Sequence, residues 1–132
     1  MKKLIQLAIA GIFFTGIFSC SKDVSTPPKV TLEKPLTDYT YKVNVPIAVK
    51  ATLYDKSGLG SVKLFVNSAW REEKIFVNTE ESLGGVESLD YNTTFVIDTL
   101  INYPKATYWV KFTVTDVDGN AKTQQVLISL KP

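Results

Sequence analysis

From Lys29 onward this 132-residue chain sets apolar residues alternately with polar ones in short runs, and that period of two is the feature that most narrows the fold. Successive side chains of a strand point to opposite faces, so alternation marks strands with one buried side. The first run, 29–33, turns Val30 and Leu32 inward and is stopped by Pro35. In 45–54, Ile47, Val49, Ala51 and Leu53 share one face and Lys50 and Thr52 the other. Asp55-Lys56-Ser57-Gly58 is turn chemistry. After Gly60 comes 62–66, with Val62, Leu64 and Val66 inward against Lys63 and Phe65. A short run at 74–77 reads as near an edge, and 82–88, with Gly84-Gly85, as a loop. Tyr91, Thr93, Phe95 and Ile97 line one face of 91–98. Tyr108, Val110, Phe112 and Val114 line one face of 107–115, with Trp109, Lys111 and Thr113 opposite. The last run, 122–130, has Val126, Ile128 and Leu130 as its apolar face. No segment carries a clear helical period.

About seven such strands in roughly one hundred residues predict an all-β domain over 29–132, built as an immunoglobulin-like antiparallel β-sandwich. Two stretches carry a resemblance. Asp55-Lys56-Ser57-Gly58-Leu59-Gly60-Ser61-Val62 resembles the D-x-S-G-(I/L)-x-x-V turn between the second and third strands of bacterial Ig-like modules. Tyr108-Trp109-Val110 through Asp116-Val117-Asp118-Gly119-Asn120 resembles their Y-x-V…D-x-x-G-N ending. The resemblance covers nearly all of the chain after residue 28 and implies the fold; such modules serve as spacers, adhesin units and enzyme appendages alike. Tyr108 falls where these domains place a tyrosine corner, and its other reading is an ordinary core aromatic. Asp118-Gly119-Asn120 offers residues tolerant of positive φ for the last hairpin.

Residues 1–19 have the layout of a secretory signal: Lys2 and Lys3, then an apolar stretch to Phe18, then Ser19. Ile17-Phe18-Ser19-Cys20 resembles the bacterial lipobox, which implies a lipoprotein with thioether lipidation of Cys20, cleavage after Ser19 and acylation of the new amine. The alternatives are an uncleaved anchor helix or ordinary secretion. Two or three acyl chains give near-permanent membrane attachment, at about 0.8 kcal/mol per buried methylene. Ser21-Lys22-Asp23 resembles the Lys/acid signal that sends some Gram-negative lipoproteins to the outer face of the outer membrane, and reads equally as a plain polar tether. The expected location is therefore the outer membrane, with its face left open. Residues 20–28, ending in Pro27-Pro28, read as the lipidated N-terminus and tether.

Cys20 is the only cysteine, so an intrachain disulfide is impossible and the domain relies on its core. The chain has 15 Lys and Arg against 13 Asp and Glu; without Lys2 and Lys3 the two signs balance at 13 each. A neutral domain without a basic cluster gives no electrostatic case for nucleic acid.

The absence of histidine removes Ser-His-Asp and Cys-His catalysis and most zinc sites. Glu72-Glu73 and Glu80-Glu81 are the candidate carboxylate pairs for glycoside hydrolysis, and they read as solvated charge. The expectation is a non-enzyme that needs no cofactor. Asp116, Asp118 and Asn120 alternate as hard oxygen donors and form a candidate calcium set, which Asp55 joins if both turns lie at one end; the other reading is a plain hairpin turn. Trp70 and Trp109 are candidates for stacking on sugar rings or anchoring a protein, with Phe65 and Tyr54 also opposite the apolar stripes. Two functions follow: an envelope module for protein interaction or assembly, or a glycan-binding accessory lipoprotein of a polysaccharide-uptake system.

Overall fold

The computed structural model describes residues 26–132; Cys20 and the segment 1–19 lie outside the described residues. Eight strands follow in order: β1 (Lys29–Lys34), β2 (Thr40–Lys42), β3 (Ile47–Tyr54), β4 (Leu59–Ser68), β5 (Ile75–Ser82), β6 (Ser88–Phe95), β7 (Thr107–Asp116) and β8 (Ala121–Lys131). They form a three-stranded sheet, β1-β3-β6, and a five-stranded sheet, β2-β8-β7-β4-β5. The fold is the β-sandwich that the alternation predicts.

The inward faces are those the pattern specifies. Ile47, Val49, Ala51 and Leu53 from β3 meet Val62, Leu64 and Val66 from β4, Tyr108, Val110, Phe112 and Val114 from β7, and Ile128 and Leu130 from β8; all are buried. Each Val, Leu, Ile or Phe side chain among them contributes about 1.5–3 kcal/mol by leaving water. With no disulfide available, this layer is what holds the two sheets together.

The structure adds three features. β2 was not legible in the pattern, because three residues are too few to show alternation. It pairs parallel with β8, Thr40 opposite Ser129 and Lys42 opposite Lys131, while every other pairing is antiparallel. The chain thus leaves the three-stranded sheet at Pro35 and joins the five-stranded one. β5 runs on through Asn78-Thr79-Glu80-Glu81 to Ser82, beyond the 74–77 of the sequence reading, because backbone pairing with β4 continues where the side chains are exposed and polar. β6 ends at Phe95, yet Ile97 stays fully buried past the strand end.

Register gives the sandwich two distinct poles. Lys29 lies opposite Tyr54, Ser61 opposite both Ser82 and Thr115, and Ala121 opposite Thr115. The chain therefore enters the domain at the pole formed by the turns 55–58, 83–87 and 117–120, called here the near pole. Residues 35–39, 43–46, 69–74 and 96–106 form the far pole, where β8 also ends.

Candidate functional site

At the near pole the three turns are stitched together. Asp55 Oδ1 accepts from the Ser57 amide at 2.8 Å and its hydroxyl at 2.6 Å. The Asp55 amide donates to Glu87 O, Leu59 to Val86 O, Gly85 to Leu59 O, and Val117 to Gly58 O. Gly58 has φ +114, and a Cβ there would stand 2.7 Å from Gly85 O. Gly60 is tight for a different reason: its Cβ would stand 2.9 Å from Asp116 O. The motif read as turn chemistry is thus a backbone crossing that only glycine permits.

Asp116 is the hub of the last turn. Its Oδ1 accepts from the amides of Asp118 (2.9 Å) and Asn120 (2.8 Å), and its Oδ2 from Asn120 Nδ2 (3.0 Å). Burial pushes the Asp116 carboxyl up; hydrogen bonds from the Asn120 side chain and from the Asn120 and Asp118 amides outweigh it and hold the carboxyl below the usual aspartate value. Gly119 alone of the Asp118-Gly119-Asn120 triplet adopts positive φ.

The fold brings Asp55 and Asp116 to one pole, as the calcium reading requires, and buries both. Their hydrogen bonds run to their own turns, Asn120 presents its amide nitrogen to Asp116, and Asp118 is exposed. Among the described residues no group of three or more His, Cys, Asp or Glu is arranged to hold a metal ion. The chemistry visible here is turn closure.

At the far pole, the Tyr108 hydroxyl accepts from the Ile101 amide at 3.0 Å and donates to Thr99 O at 2.9 Å, so the 96–106 connection is tied to β7. This is the tyrosine corner. The ring meets Phe76 edge-on at 5.4 Å. Burial raises the phenol, partly offset by the Ile101 amide.

Trp70 sits in the β4–β5 hairpin and is 55% exposed. The hairpin closes on Ser68 Oγ, which accepts from the amides of Trp70 (3.1 Å) and Arg71 (3.0 Å). Trp109 is half-buried on the outer face of the five-stranded sheet, in a row running Leu127, Trp109, Asn67, Ile75 across four strands. In the next row Lys111 Nζ lies 5.7 Å from the Phe65 ring centre. The aromatic pairs among the described residues are Tyr39–Tyr41, Phe76–Tyr108 and Tyr91–Phe112; neither indole belongs to one. Glu72, Glu73, Glu80 and Glu81 are all exposed, Glu73 paired with Arg71 at 3.1 Å and Glu81 accepting from the Tyr91 hydroxyl at 3.3 Å.

Two polar residues escaped sequence reasoning. Asn67 is buried beneath the hairpin, where its Nδ2 donates to Glu72 O at 3.1 Å and its Oδ1 has no partner. Gln124 Nε2 donates to Val30 O at 3.1 Å, bridging the two sheets along the part of β8 that β2 does not cover. Neither breaks the alternation enough to be noticed in sequence.

No protein-family model matches this chain, and no curated protein matches it. Among solved structures it is similar to the fibronectin(III)-like modules of CbhA from Clostridium thermocellum, at 17% identity and TM-score 0.57 over 83% of this chain and 49% of that one. It is also similar to OgpA from Akkermansia muciniphila, at 10% identity and TM-score 0.55 over 78% of this chain and 29% of that one. The chain spans half or less of those matched chains. At such identities the likeness is one of fold: an immunoglobulin- or fibronectin III-type β-sandwich module.

Proposed function

We propose that this protein is a lipid-anchored, non-catalytic module of the bacterial envelope, held in the outer membrane through Cys20, whose sandwich mediates protein interaction or assembly. The observation that carries the reading is the polarity of the fold. The chain enters at the near pole, while Leu36, Val45, Trp70, Val96 and Tyr103, each about half exposed, all lie in far-pole loops. Three of them belong to adjacent strands: Leu36 follows β1, Val45 precedes β3, and Val96 follows β6. The Asn44 amide donates to Ile97 O at 2.8 Å and fixes the last two loops together. Single exposed apolar residues are ordinary, but a group gathered at one end of a domain marks a contact surface.

Tether arithmetic supports the same reading. Thr26 lies six residues after Cys20, a span of about 20 Å at full extension. The strands of the sandwich are up to 11 residues long, about 36 Å. An upright domain therefore holds its far pole beyond reach of the lipid and free for another protein. A photo-crosslinker placed at Trp70 or Tyr103 in living cells tests this: a discrete adduct with one envelope protein is expected there and not from Lys56. Adducts confined to Lys56, or none at any far-pole position, would contradict it.

The second reading, glycan binding, rests on the exposure of the Trp70 indole. Sugar rings stack on exposed aromatic faces. A polysaccharide that quenches Trp70 fluorescence in the wild type, and a Trp70→Ala variant that loses binding, are its expected signs; a flat glycan array contradicts it.

A further inference from the structure

Resting on the proposed anchor at Cys20, we infer that the near pole is a membrane seat: the tips of the 83–87 and 117–120 turns, carrying Val86 and Val117, sit on the lipid surface that holds the anchor.

Val117 is 52% and Val86 44% exposed, at the pole where the chain enters. They stand on neighbouring turn tips. A Cβ on Gly85 would meet Val117 Cγ1 at 3.9 Å, so the Val117 side chain lies over the Gly85 backbone beside Val86. The occupant follows from chain length. The buried Pro28 fastens the start of the domain at this pole, and Cys20 is eight residues before it, so the near pole stays within roughly 26 Å of the lipid whatever path the tether takes. Confinement at that distance keeps the local concentration of lipid surface high, so a weak contact is populated.

The turn tips suit the task. On the two tips the amides of Gly85, Val117 and Gly119 have backbone acceptors, and those of Asp118 and Asn120 are held by Asp116 Oδ1. The exposed charges of this pole offer no cationic excess: Lys29, Lys56 and Lys122 stand against Glu81, Glu87, Asp90 and Asp118. The seat is therefore apolar rather than electrostatic, does not select anionic lipid, and is insensitive to salt.

The test uses the full-length lipidated protein in phosphatidylcholine vesicles doped with a lipid bearing a headgroup nitroxide. Single thiols introduced by Val117→Cys or Tyr103→Cys take a fluorophore, the Cys20 sulfur being occupied by its lipid. The fluorophore at 117 is expected to lose most of its emission at low and high salt alike, while that at 103 keeps it; Val86→Cys behaves like 117. Vesicle flotation reads the anchor separately. Protein that floats with an unquenched label at 117 overturns the seat and leaves the anchor standing. Equal quenching at 117 and 103 means a domain lying on its side and also overturns the seat. Protein that does not float overturns both.

Discussion

Asp116 shows how much one side chain carries in this fold. Its carboxylate closes the β7–β8 turn with three hydrogen bonds while buried. Asp116→Ala leaves those donors without their acceptor, and a loss of about 2 kcal/mol in urea unfolding is expected. Because the folded carboxyl lies below the ordinary aspartate value of 3.8, its stabilisation is complete above that value and lost as pH falls through the lower folded value. Wild type is therefore expected to lose this increment only below pH 3.8, and Asp116→Asn to show a shallower acid limb over the same interval. Tyr108→Phe keeps the ring and removes the hydroxyl that bridges Thr99 and Ile101. A loss of about 1–2 kcal/mol is expected, with faster amide exchange at Ile101 and little change in the β7 core. The motif Tyr108-Trp109-Val110 pointed to this residue, because its role depends on local chain spacing. Asn67 gave no such signal: its burial comes from a hairpin folding over the sheet face, which the order of residues does not encode.

At the scale of elements, legibility followed the number of apolar alternations each strand contains. β3, β4, β7 and β8 repeat the period often enough for their inward faces to be read directly, and those residues form the core. β2 has three residues and takes its place from a parallel partner some ninety positions away in sequence, which no local pattern reveals. The alternation in β5 covers only its first half, because its second half is an exposed edge where pairing alone maintains the strand. Exposed edges open more readily than central strands. Hydrogen exchange is accordingly expected to be fastest in the Asn78-to-Ser82 half of β5 and slowest in β7, which is paired on both sides; protection of β5 equal to that of β7 would contradict the assignment. The turns add a matched comparison. Gly58→Ala faces both a forbidden φ and a clash with Gly85 O, whereas Gly84→Ala, at φ +70, meets nothing within 4 Å. The first should cost well over the roughly 1 kcal/mol of the left-handed conformation alone, and the second no more than that.

For the molecule as a whole, the arrangement of its poles links fold to proposed role. Stitched turns and the chain entrance lie at one end, with Val86 and Val117 exposed on their tips, and the larger group of exposed apolar loop residues lies at the other. Alternation in the sequence revealed the layers of the sandwich but not this polarity, which arises from the sense in which eight strands run. The candidate site was legible in the same partial way. Trp70 proved exposed, Trp109 half-buried, and the side chains of Asp116 and Asn120 are occupied in closing their own turn. The proposed address in the envelope rests on Cys20, and the proposal that this residue carries lipid is the one on which both poles acquire their roles. Metabolic labelling with radioactive palmitate, followed by fractionation, tests it most directly. Wild-type protein is expected to incorporate the label and sediment with the envelope, and Cys20→Ala to do neither; a Cys20→Ala protein that still carries palmitate and still sediments with membranes would contradict the account.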